Sequence, residues 1–387
     1  MKKSISGLLT TALLIASIQT TEAQVEFLGS VRIPGTTTDL SGLTGELEGG
    51  VPVNQLGGFS AIEYSGEGNV YYVLPDRGAG DGAVSYPCRV HKVALNVDVQ
   101  AGSLEFEQLS AILLKNQKGE SLIGSEARML EWDGQGRCPS YDPEGIRITS
   151  NGHMLITDEY GPFADLFDSN GSLVRELVMP EKISLGTRRK PQFSSGTFTN
   201  RGMEGVSLIP GSERFMAVMQ GPLIQDGRVE ANKCLGIKTR WILGELSSNR
   251  TREIVYSLTD ESTGVSEVLA VDSSRYLVLE RDSNVGATAL IKKIYLADLT
   301  GVTDVSSVES LLNPGSASIK EVQKKEFIDL LTPEYGLNGE TVSGKPEGLA
   351  WGPRLPDGRR LLIVCYDNDF VPTTDSIIAA FAVDSLD

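Results

Sequence analysis

The chain has 387 residues, a formal net charge of −16, 40% hydrophobic residues, four cysteines and two histidines. That acidity excludes nucleic acid as a natural partner, because the summed field repels a bare polyanion. The two histidines, His91 and His153, sit in no metal-binding or phosphatase motif, and no G-x-S-x-G elbow, phosphate-binding P-loop or paired C-x-x-C occurs.

In chain order, Lys2 and Lys3 precede an apolar run from Ile5 to Ile18 that is too short to span a bilayer. With Thr21 and Ala23 supplying small residues, residues 1–23 read as a signal peptide and 24–387 as the mature domain, exported to the periplasm or secreted. Later apolar runs, such as Leu361–Cys365 and Ile377–Val383, have strand length, so no membrane insertion is expected.

Five segments then repeat one pattern: GGFSAIEYSGEGNVYYVLPDRG, DPEGIRITSNGHMLITDEYG, RGMEGVSLIPGSERFMAVMQGP, VSEVLAVDSSRYLVLERDS and KPEGLAWGPRLPDGRRLLIVCYDND. A polar residue opens a short apolar strand, a turn follows, and a second strand ends on an acid or amide. The openings are Ser60, Glu144, Glu204, Glu267 and Glu347, and the closings are Asp76, Asp158, Gln220, Glu280 and Asp367. A mean spacing of about 72 residues lets five units fill the mature chain.

Further strand-like runs lie between the hairpins, at 89–98 with 104–114, 164–168 with 173–179, and 240–246 with 251–258. Four strands per unit make a propeller blade. The expectation is an all-β fold, a single β-propeller of about five four-stranded blades, closed by residues 24–33 pairing with 376–383; six blades is the alternative. Residues 300–344 read as an insertion with a short helix near Glu321–Leu331. Cys88 and Cys138, in polar loops, are the preferred disulfide, and Cys365 reads as a buried thiol.

Strand starts and ends of such hairpins meet at one face of the ring, so the repeated acids converge. Asp76, Glu144, Asp158, Glu204, Glu347 and Asp367 are the candidate ligands, and a set of hard oxygens favours calcium. Arg77, Arg201, Arg281 and Lys345 stand beside these acids as candidate anion-binding groups, and Glu159 or Glu280 as the base. The competing reading is that the acids only brace the blades.

With these residues laid out, the chain resembles the phytase-like family, known as "esterase-like activity of phytase". The resemblance rests on GGFSAIEY with VLPDRG, DPEGIRI with ITDEYGPF, NRGMEGVSLIP with QGPLIQDG, VLERD with KKIYLADL, and KPEGLAWGPRLPDGRRLLIVCYDNDF. It implies hydrolysis of a phosphate ester or another ester, with a small-molecule substrate. Ser60 and Gln220 depart from the acidic pattern. Two other functions fit the same mouth: a metal-dependent lactonase, and a calcium-stabilised propeller that binds a ligand or protein without catalysis. The sequence leaves the oligomeric state open.

Overall fold

The computed structural model describes residues 24–132, 137–183, 185–187, 195–231, 233–313, 315, 318–338 and 344–386. The signal-peptide segment, 1–23, lies outside them.

Five four-stranded antiparallel sheets form the architecture. Blade one holds β2 (Phe59–Tyr64), β3 (Val70–Pro75), β4 (Arg89–Asp98) and β5 (Ser103–Leu113). Blade two holds β6 (Pro143–Ile148), β7 (Met154–Asp158), β8 (Phe163–Phe167) and β9 (Leu173–Leu177). Blade three holds β10 (Met203–Leu208), β11 (Arg214–Met219), β12 (Lys238–Glu245) and β13 (Thr251–Ser257). Blade four holds β14 (Thr263–Ala270), β15 (Arg275–Asp282), β16 (Lys292–Asp298) and β17 (Gln323–Asp329). Blade five combines β18 (Lys345–Arg354), β19 (Arg360–Asp367) and β20 (Ser376–Val383) with β1 (Val25–Ile33).

The ring closes as the sequence suggests: β1 pairs antiparallel with β20, from Val25 opposite Val383 to Ile33 opposite Ser376. Closure covers the edge of β20 and makes β1 the outermost strand of the blade. Hydrophobic clusters fill the gaps between blades, as where Phe59, Ile62 and Val73 of blade one meet Ile363, Ile378 and Ala380 of blade five.

Two expectations change. Residues Gln323–Asp329 form the outer strand of blade four, where a short helix was expected. QKKEFID buries little beyond Ile328, so an outermost strand carries almost no alternating apolar signal. The Cys88–Cys138 bridge does not form. The Cys88 thiol is buried beside Ala61 and Tyr141 and donates to the Tyr141 carbonyl at 3.6 Å, while Cys138 packs in a separate cluster with Met129 and Tyr160. Cys365 is the buried thiol expected.

Candidate functional site

Each innermost strand carries a β-bulge near its start. The register slips between Phe59 and Ala61, Pro143 and Gly145, Met203 and Val206, Val265 and Glu267, and Pro346 and Gly348. An extra residue bends a strand and re-aims one side chain. The equivalent bulged positions are Ser60, Glu144, Glu204, Ser266 and Glu347. Glu144, Glu204, Ser266 and Glu347 line a polar cavity of about 330 Å³. The glycine that follows three of them is set by close approach. A Cβ at Gly145 would stand 2.9 Å from the Glu204 carbonyl, one at Gly205 2.6 Å from Glu267 Cα, and one at Gly348 2.8 Å from Ala61 Cα. The recurring Glu-Gly pair thus serves the mouth with its first residue and blade packing with its second.

The bulge displaces the fourth opening by one residue. Ser266 faces the mouth, and Glu267 is buried in the channel below it, 3.0 Å from Arg147, which also approaches Glu63 at 3.8 Å. The same slip affects two closing acids. Pro75, Asp158, Met219, Glu280 and Tyr366 are the equivalent partners of the residue before each bulge. The following residues, Asp76, Glu159, Gln220 and Arg281, line the cavity. Because strand side chains alternate, a one-residue difference sends a group to the opposite face. Asp158 accepts from the Asp142 and Gly161 amides at 2.5 and 2.6 Å and braces a turn. Glu280 is buried between blades three and four, accepting from Tyr256, Lys324 and the Thr259 amide. The structure therefore brings neither residue to the mouth.

The other singled-out residues do meet. Asp76, Arg77, Glu144, Glu159, Arg201, Glu204, Arg281, Lys345 and Glu347 line the cavity, and Asp367 borders it through Lys345 at 2.6 Å. Lys345 also pairs with Asp369 and lies 3.6 Å from Glu347. Glu347 pairs with Arg281 and accepts the Ser60 hydroxyl at 3.2 Å. Gln220 donates to Glu204 Oε1. Arg77 Nη1 stands 2.6 Å from Asp142, 3.5 Å from Glu159 and 3.8 Å from Glu144. Asn200, Ser262, Ser266 and Ser283 also line the cavity and carry no charge, so reading for acids passed them over.

Carboxylates outnumber cations here, and the electrostatics follow. Burial, then Glu204 and Asp142, hold the Glu144 carboxyl well above its ordinary range. Burial, then Glu159 and Glu347, do the same to Glu204, and burial with Asp367 to Asp76. Burial and the Asp142 charge push Glu159 up to about 7. Such crowding is relieved by protons or by bound cations. Ligand oxygens of Asp142, Glu144 and Glu159 lie within 4.8 Å of one another, close enough to share one ion. An all-carboxylate set suits a hard dication such as calcium, provided the Arg77 guanidinium among these oxygens gives way.

An uncharacterised secreted protein of Arthroderma benhamiae is 24% identical over 348 residues, covering 70% of this chain and 68% of that protein. Among solved structures, a protein of unknown function from Dyadobacter fermentans aligns with a TM-score of 0.42 at 11% identity, over 93% of this chain and 99% of its own. Kuenenia stuttgartiensis hydrazine synthase aligns at 0.36 and 13% identity, over 85% of this chain and 79% of its own. At these scores neither structural likeness says what this chain does. Residues 54–370 match the model of the family described as "Phytase-like: Esterase-like activity of phytase", and the chain belongs to that family.

Proposed function

We propose that this protein is an exported, calcium-dependent hydrolase of phosphate esters acting at the propeller mouth. The family and the propeller fold fit an esterase-like hydrolase, and the secreted relative supports an exported location. The observation that carries the finer reading is the pairing of a carboxylate half with a cationic half around one cavity. Asp142, Glu144 and Glu159 would hold the cation, and Arg201, Arg281 and Lys345 face the same space.

What a divalent cation supplies at such a site is polarisation of an ester oxygen. The remaining work falls to the chain. Arg201, Arg281 and Lys345 orient the phosphoryl oxygens. Glu204 is the better placed base: Gln220 holds its Oε1, while both oxygens of Glu159 are engaged, by the Gly202 amide at 3.0 Å and by Arg77. A carboxylate kept above its ordinary range accepts a water proton more readily near neutral pH. The cationic half formed by Arg201, Arg281 and Lys345 suits an anionic ester better than an alkyl lactone.

The test is a hydrolysis screen of phosphomonoesters, phosphodiesters and lactones before and after chelation. Phosphate-ester turnover that chelation removes and calcium restores supports the reading. Turnover of lactones alone, or no turnover with calcium present, would sink it.

A further inference from the structure

We propose that blades three and four carry a built oxyanion subsite in which Ser266 joins Arg201 and Arg281 as a third donor. The proposal deepens the phosphate-ester reading above and rests on it for the ligand class.

Ser266 is 2% exposed and lines the mouth, yet its hydroxyl has no partner among the described residues. Nε of Arg281 is likewise buried without a partner, although the same guanidinium pairs with Glu347 through Nη2. Arg201 pairs with no carboxylate among the described residues and gives one hydrogen bond, to the Thr263 carbonyl at 3.2 Å. Buried donors are nearly always satisfied in folded proteins, so donors left open around one cavity point to a missing acceptor.

Gly264 explains how these groups gather. It pairs with Arg281 across β14 and β15, and a Cβ there would stand 2.7 Å from Gln220 Cγ and 3.2 Å from Arg201 Nη1. The absent side chain lets blade three's Arg201 and Gln220 close over blade four, two residues before Ser266. Three other blades place a glutamate at the position of Ser266. A carboxylate here would pair with the two arginines and occupy the space itself. Serine leaves it open, and a tetrahedral phosphoryl group offers each donor an oxygen.

The test is calorimetric titration with inorganic phosphate, and with methylphosphonate as a stand-in for an esterified phosphoryl group. Both are run with chelator and with calcium, on wild type, Ser266→Ala, Ser266→Glu and Arg201→Gln of matched melting temperature. Ser266→Ala should weaken binding about tenfold, as loss of one charge-assisted hydrogen bond does. Ser266→Glu should abolish binding. Binding of phosphate alone would assign the subsite to the released product, and binding of both to the substrate's phosphoryl group; either supports the subsite. Equal affinity in all four proteins, or no uptake in any condition, overturns it. Phosphate bound without ester turnover would sink the hydrolase and leave the subsite standing. Phosphate-ester turnover unchanged in Ser266→Ala and Ser266→Glu would sink the subsite and leave the hydrolase.

Discussion

Arg77 Nη1 lies 2.6 Å from Asp142 Oδ2, inside the carboxylate group best placed to hold a metal ion. One guanidinium thus neutralises part of Asp142, Glu144 and Glu159, and also reaches the exposed Asp81 at 3.0 Å. Removing one partner of a buried ion pair strands the other charges. Arg77→Met should therefore lower stability in chelator by about 3 kcal/mol, and calcium should recover more of that loss than it adds to wild type. Thermal melts with and without calcium measure both effects. A variant as stable as wild type in chelator would show that the guanidinium is not the counter-charge.

His91 gives a pH dependence of known sign. Both ring nitrogens are buried without a partner among the described residues, and burial lowers its pKa to about 4 despite the opposing charge of Asp39. The unfolded chain binds a proton below about pH 6.5 that the folded chain refuses until about pH 4. The stability contribution is therefore complete above about 6.5 and is lost as pH falls toward 4. Relative to wild type, His91→Phe should gain about 2 kcal/mol between pH 7.5 and pH 5. Urea titrations at the two pH values measure this, and a constant difference would refute it.

Arg147 lies in the channel beneath the mouth with Glu267 at 3.0 Å and Glu63 at 3.8 Å. Its guanidinium also donates to the Val268 carbonyl at 2.9 Å. Arg147→Met should cost about 3 kcal/mol by leaving the buried Glu267 carboxylate without its counter-charge, and adding Glu267→Leu should recover much of that. Chemical denaturation of the single and double variants checks the coupling. Additive losses would show that the pair does not act as a unit.

Much of this molecule is legible in its sequence because a propeller repeats one pattern. The five hairpins, the outer strands of three blades and the closure by residues 24–33 follow from apolar runs and turn residues alone. What escapes is local. A β-bulge inserts one residue without changing composition, so Glu267 reads as the mouth residue of blade four when Ser266 holds that place. The same alternation makes Asp158 and Glu280 look equivalent to Asp76, although they face the other way. Strand Gln323–Asp329 is missed for a different reason, since a solvent-facing outer strand needs little apolar patterning. Asp142, the acid closest to Arg77, stands outside the strand-start and strand-end pattern and belongs to the repeated acids of the family resemblance, while its place beside Arg77 comes from the fold.

On the reading proposed above, Asp142, Glu144 and Glu159 of blade two hold a calcium ion at the propeller mouth. Calorimetric titration of calcium into wild type, Asp142→Asn and Glu144→Gln tests it most directly. Wild type should bind calcium saturably, and each substitution should weaken binding by at least about tenfold, because each removes one charged ligand from the shared group. No calcium uptake by wild type, or equal uptake by all three proteins, would refute calcium binding there and leave Arg77, Arg281 and Lys345 as counter-charges of the mouth acids.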